Sequence, residues 1–253
     1  MSFLNRQQSP MSSNSRVGVA SAVEVDAGLR AYMLQVYNYM VSALILTGLV
    51  AFFASESQAF MSMMITQKAD GSMGQSPLSW IVMLAPLGVV FYLGAQMHKL
   101  TLGAAKAWFF GFSVLMGLSL FYIFAAYTGT SIARVFFITA GTFGIMSLWG
   151  YSTQKDLTSF GSFLMMGVIG IFLASIVIIF LASSALSFAV SVIGVLLFTG
   201  LIAYDTQKLK SMYYQMGGNE EATHKVAIMG ALSLYLDFIN LFVMLLRLIG
   251  DRR

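Results

Sequence analysis

Apolar residues in this chain come in long, nearly unbroken runs rather than in the one-sided stripes of a soluble helix. Seven such runs lie near 31–54, 78–97, 104–127, 133–151, 160–182, 186–210 and 225–249. Several approach the roughly 20 residues a helix needs to cross about 30 Å of hydrocarbon. Lipid gives open backbone groups no partner, so each run is predicted to be a helix. The connections are short, with one exception. Residues 55–77, SESQAFMSMMITQKADGSMGQSP, carry the turn signals DG and SP around an apolar AFMSMMI, which is expected to lie along the membrane surface. Ahead of the first run, residues 1–29 are polar and Ser-rich. A signal peptide would place its apolar core earlier, so this stretch reads as an uncleaved, disordered tail. Residues 30–253 then form the membrane domain.

Composition supports that picture. Of 253 residues, 58% are hydrophobic and 9% charged, against about a quarter charged in soluble domains. Too few charges remain to clothe a soluble surface. The expectation is an all-α integral membrane protein, a bundle of seven transmembrane helices. The chain has no cysteine, which removes disulfides, thiolate metal sites and cysteine nucleophiles. A net charge of +4 is scattered over short loops, as in membrane anchoring rather than nucleic-acid binding.

The basic residues also orient the bundle. Nine fall on one side: Arg6, Arg16, Arg30, Lys99, Lys106, Lys155, Lys208, Lys210 and Lys225. The other side holds Lys68 and Arg134, joined by Arg247, Arg252 and Arg253 if the seventh segment crosses, which makes five. This excess places the N-terminus in the cytoplasm. The three C-terminal arginines suit an outer end poorly, and a six-span chain whose last segment re-enters would return them inside. Glycines within the spans (Gly111, Gly117, Gly141, Gly144, Gly161, Gly167, Gly170, Gly194, Gly200) are expected to let helix backbones approach. Pro86 is expected to kink the second span.

Candidate chemistry rests on two of ten acidic residues. Eight lie in the tail, the loops or the chain end. Asp205 follows a long apolar run, and Asp237 stands about twelve residues from either end of its segment, roughly 18 Å along a helix. A carboxylate at that depth costs on the order of 3 kcal/mol and commonly marks an ion or proton path. Residues Ser233, Asp237, Asn240, Met244 and Arg247 follow 4-3-4-3 spacing and stack on one helix face. A structural hydrogen-bond cluster would present the same stripe. Asp205, for its part, also suits a solvated cytoplasmic boundary beside Thr206 and Lys208. If the two carboxylates meet in a low dielectric they hold one proton between them. Ionised, they repel and offer oxygen ligands to a hard cation such as Ca²⁺.

AYDTQ at 203–207 and ALSLYLDFINLF at 231–242 resemble motifs of the transmembrane Bax-inhibitor-motif family, the Bax-inhibitor or lifeguard-type proteins. The resemblance covers roughly 30–249 in size, number of spans and order. It implies a bundle with the last helix central and a pH-sensitive calcium leak in which Asp205 and Asp237 form the pH sensor and a point of Ca²⁺ contact. It also implies a basic latch near the cytoplasmic end of the second helix. In FYLGAQMHKLTLGAAK the closest residue is His98 and the next Lys99, where the family pattern has arginine. An acidic residue that the family can carry in the second helix is absent from WIVMLAPLGVVFYL. A bacterial member in the inner membrane is expected, with lipid, Ca²⁺, protons and other membrane proteins as partners, and with no cofactor and no enzymatic role. The second class is a non-transporting regulator of membrane proteases or other membrane complexes. Intramembrane aspartyl proteolysis fits poorly, because residues 234–237 are LYLD where GxGD is needed. A proton-coupled transporter lacks a visible inverted repeat with paired broken helices.

Overall fold

The computed structural model of the chain describes residues 13–67, 73–181, 183–216 and 220–253. Its elements are α1 (Ser13–Glu56), α2 (Gln58–Met64), β1 (Ile65–Gln67), β2 (Met73–Gln75), α3 (Pro77–Gln96), α4 (Leu102–Ser119), α5 (Phe121–Ala126), α6 (Gly129–Ser152), α7 (Thr158–Leu181), α8 (Ser184–Gln215) and α9 (Glu220–Ile249). Among the described residues, seven helical stretches are long and apolar enough to cross a membrane. The chain is an all-α membrane bundle.

Helix starts follow local side-chain chemistry. Ser57, Ser76, Thr101, Thr128 and Ser183 hold extended backbone and accept a hydrogen bond from an amide in the first turn of α2, α3, α4, α6 and α8, which satisfies donors that no helical carbonyl can reach. Pro77 opens α3, where its missing N–H costs nothing.

Three departures from the sequence expectations are local. Helix α1 begins at Ser13, inside the stretch expected to be a disordered tail; ASAVEVDAGLR contains enough helix formers to continue the first span backward. Residues 1–12 of that tail lie outside the described residues. The connection 55–77 holds the short helix α2 and an antiparallel pair, with Ile65 opposite Gln75 and Gln67 opposite Met73. Its Met64 is buried against Ala54 and Phe121. The third span is interrupted at Leu120, whose ψ of 5° ends α4 before α5 begins.

Helix α9 is central. It packs against α1, α4, α6 and α8, and 67% of its most apolar stretch is buried, against 17% in α7. At 30 unbroken residues, about 45 Å at 1.5 Å per residue, it runs the full depth of the bundle. The re-entrant alternative therefore falls. The start of the first span and the C-terminal residues lie at opposite ends of the bundle: the Tyr32 ring packs, tilted, against Tyr213 at the end of α8, whereas Arg252 bridges to Tyr127.

The glycines divide. A Cβ on Gly117 would come within 2.7 Å of the Thr47 carbonyl oxygen, and one on Gly194 within 2.9 Å of Met244. Gly161, Gly167 and Gly200 likewise admit Tyr204, Leu197 and Leu164. By contrast Gly111, Gly141, Gly144 and Gly170 face open space. They lie away from helix contacts, so close packing accounts for only part of the set. Pro86 is buried inside α3.

Candidate functional site

Each residue of AYDTQ has a separate structural task. Ala203 packs its backbone against Gly150 of α6, which only a residue without Cβ tolerates at that approach. Tyr204 lies over Gly161 of α7. Thr206 is fully buried; its hydroxyl donates to the Ile202 carbonyl at 2.7 Å and meets Ser147 Oγ at 3.0 Å. Ser147 in turn meets Tyr37 Oη at 2.6 Å. Gln207 fixes the α6–α7 turn, accepting from Leu157 N and donating to Lys155 O, both at 2.8 Å. Four of the five residues thus clamp α8 to its neighbours. The fifth, Asp205, is left half-buried with its side chain in a cavity.

That cavity encloses about 410 Å³ among α7, α8 and α9. Tyr204, Asp205 and Lys208 line it from one face of α8, and Ser233, Asp237 and Asn240 from one face of α9; both sets follow helical i, i+3 and i+4 spacing. Ser162 and Gly161 close the α7 side. Asp205 and Asp237 therefore share one cavity. Asp237 is only 6% exposed, and its Oδ2 has no hydrogen-bond partner among the described residues. An unsatisfied buried polar atom is costly and calls for an explanation. Across the helix, Tyr235 is satisfied: its hydroxyl meets Thr47 Oγ1 at 2.7 Å, and Thr47 donates to the Ser113 carbonyl at 2.9 Å. Those bonds hold α9 against α1 and α4, so Asp237 is presented to the cavity by an anchored helix.

Of the stripe expected on α9, Ser233, Asp237 and Asn240 line this cavity, while Met244 packs on Gly194. Arg247 is exposed and lines a different cavity. His98 and Lys99 occupy the exposed turn after α3 and are not in the cavity wall. The basic group there is Lys208, whose ammonium lies 5.9 Å from the Tyr204 ring centroid. Sequence reasoning treated Lys208 only as a boundary residue. Its i+3 spacing from Asp205 was the available signal. The contribution of Gly161 and Ser162 depends on how α7 docks, which no local pattern encodes.

Chemically, the wall offers two carboxylates, the Asn240 amide oxygen and the hydroxyls of Ser162 and Ser233. Hard cations take such oxygens, although Ca²⁺ prefers six to eight ligands. No cluster of three or more His, Cys, Asp or Glu occurs among the described residues.

Comparison with known proteins agrees with the motifs. Residues 29–253 match the family model described as Inhibitor of apoptosis-promoting Bax1. An uncharacterized protein of Rickettsia prowazekii (strain Madrid E) is 50% identical over 228 residues, covering 90% of this chain and 92% of that one. The inner membrane protein YbhL of Escherichia coli (strain K12) is 47% identical over 234 residues, covering 92% and 97%. A Caulobacter vibrioides protein is 47% identical over 231 residues, covering 91% and 92%. With its seven spans, central last helix and AYDTQ motif, the chain belongs to the Bax-inhibitor family of membrane proteins.

Proposed function

We propose that the protein is a pH-sensitive cation leak, with Ca²⁺ as the principal ion, gated by protonation of Asp205 and Asp237. The observation that carries this is that Asp205 and Asp237 line one cavity, with Asp237 Oδ2 buried and without a hydrogen-bond partner among the described residues. With one proton shared, the two carboxyl groups close on each other; with both ionised, they repel and present oxygens to a cation. Flux then rises with pH. The role involves neither catalysis nor a bound cofactor. The similarity to YbhL supports the bacterial inner membrane as the location, and the distribution of Lys and Arg supports a cytoplasmic N-terminus.

A second reading, a non-transporting regulator of membrane proteases or other membrane complexes, is favoured by a different feature. An apolar groove of about 670 Å³ between α1 and α6 has Gly48 and Gly144 in its wall, small residues of the kind that admit a partner's transmembrane helix.

The deciding experiment is Ca²⁺ entry into liposomes holding the purified protein, stepped between about pH 6 and pH 8, with the Asp205→Asn/Asp237→Asn double variant alongside. Wild-type flux that increases with pH, and a variant that has lost the dependence, support the gate. Flux no greater than in empty liposomes rejects it in favour of the regulator.

A further inference from the structure

A second polar cavity, of about 360 Å³, lies at the opposite end of α8 and α9 from their connection. Its basic groups are Arg247 of α9 and Arg252 of the C-terminal tail; Ser183, Ser184, Ser187 and Ser191 supply hydroxyls. The tail that carries Arg252 is fixed by several bonds. Arg253 N donates to the Ala126 carbonyl at 3.0 Å, Thr128 N to the Asp251 carbonyl at 3.1 Å, and Asp251 N to Ser131 Oγ at 2.9 Å. The Arg252 guanidinium lies 5.9 Å from the Tyr127 ring centroid. These contacts hold a terminal arginine that would otherwise sample many conformations.

Charge accounting separates this pair from an ordinary ion-pair network. Asp251 is taken by Arg134 at 3.0 Å. Among the described residues, neither Arg247 nor Arg252 has a carboxylate within ion-pair reach. Arg247 lies instead beside the Tyr122 hydroxyl. The hydroxyl of Ser183 accepts from Leu186 N and that of Ser191 donates to the Ser187 carbonyl. Those of Ser184 and Ser187 make no such bond among the described residues. Two arginines and two serines thus line one cavity, with the start of α8 free of acidic residues beside it. Guanidinium forks match the paired oxygens of phosphate, and a helix N-terminus adds to the preference for an anion.

We propose that this cavity binds a phosphate group, presented by an anionic lipid headgroup or as free phosphate. Purified full-length protein in neutral detergent is titrated calorimetrically with dihexanoyl phosphatidylglycerol and with inorganic phosphate; dihexanoylglycerol, which lacks phosphate, is the control. The variants are Arg252→Gln and Ser184→Ala/Ser187→Ala, both of which leave the Arg247–Tyr122 contact in place. Saturable binding of a phosphate probe but not of the control is expected, weakened about tenfold by Arg252→Gln, or about 1.4 kcal/mol. The serine variant weakens it by a smaller factor, and added salt weakens it in wild type. Binding of the lipid without inorganic phosphate assigns the site to a headgroup; comparable binding of both assigns it to the phosphate alone. Failure of both probes to bind wild type, or unchanged affinity in both variants, overturns the proposal.

Discussion

Replacing Asp237 by Asn tests the cavity chemistry through stability as well as flux. The side chain is 6% exposed and its Oδ2 makes no hydrogen bond, so the amide loses no protein partner there and changes size little. The charge is what disappears. A carboxylate at mid-membrane depth costs on the order of 3 kcal/mol on insertion scales. Part of that is relieved by the surrounding polar wall, which leaves an expected gain of roughly 1–2 kcal/mol for the variant at about pH 8. For a chain of this size 1 kcal/mol moves a melting midpoint by about 2–4 °C, so the midpoint should rise by about 2–8 °C. Below the pKa of a free aspartate, about 3.9, the carboxyl is neutral in the folded and the unfolded chain alike, so the difference from the amide should vanish there. The assay is thermal unfolding of purified protein in detergent at about pH 3 and pH 8. Asp251→Asn serves as control, because its ion pair with Arg134 is half or more exposed on both sides, and such pairs contribute little. An Asp237→Asn variant no more stable than wild type at pH 8, or equally stabilised at both pH values, would refute the view that a charge at this position burdens the fold.

Four further outcomes follow from the same geometry. Lys208→Met removes the tethered cation from the cavity wall and should tighten apparent Ca²⁺ affinity in liposome flux by no more than about fivefold, since the exposed ammonium is screened. His98→Ala and Lys99→Ala, both in an exposed turn outside the cavity wall, should leave the pH profile of flux unchanged; a flattened profile would restore the latch expected from the family pattern. Gly161→Ala drives a methyl into Tyr204 and should destabilise by about 1–3 kcal/mol, whereas Gly170→Ala, with open space around it, should be neutral in the same thermal assay. Asp156 accepts from Thr158 N at 2.9 Å, and its hydrogen bonds to Thr158 hold its carboxyl below the usual value of 3.8. Its stabilising effect is thus present above about pH 4 and lost as pH falls through its folded value. An NMR titration midpoint at or above that of a free aspartate would contradict this.

How much of this was legible beforehand differs by scale. The spans were readable because lipid imposes one requirement on every crossing segment, that backbone bonds close within the helix. The polar stripe on α9 was readable because i, i+3 and i+4 positions share a face in any helix. The strand pair Ile65–Gln67 with Met73–Gln75 was not anticipated, although the DG turn lay between its strands. Its apolar neighbours AFMSMMI suggested surface contact instead. Glycine roles were legible only in type. Gly161 and Gly170 have the same local signature, yet one holds Tyr204 and the other faces open space. Which of them is needed depends on the rotation of α7 against α8, a property of the pair. For the same reason Lys208, rather than His98, was hard to assign to the cavity.

The burial gradient across the bundle explains why the carboxylate deepest in a span belongs to α9. In α7, where 17% of the most apolar stretch is buried, a mid-span aspartate would face hydrocarbon with no polar neighbour. In α9, where 67% is buried, surrounding helices replace lipid and can bring polar groups to meet it. Asp205, ten residues before the end of α8, is half-buried and shares the cavity wall with Lys208. One carboxylate is therefore enclosed by the fold and the other only partly so. A proton or cation moving between them would pass from a half-buried group to a buried one within a single cavity. That asymmetry has a direct consequence: Asp205→Asn should change how readily ions reach the site, while Asp237→Asn should change whether they can be held at depth. Flux measured against Ca²⁺ concentration separates the two, since the first variant should lower the rate at limiting Ca²⁺ and the second the rate at saturation.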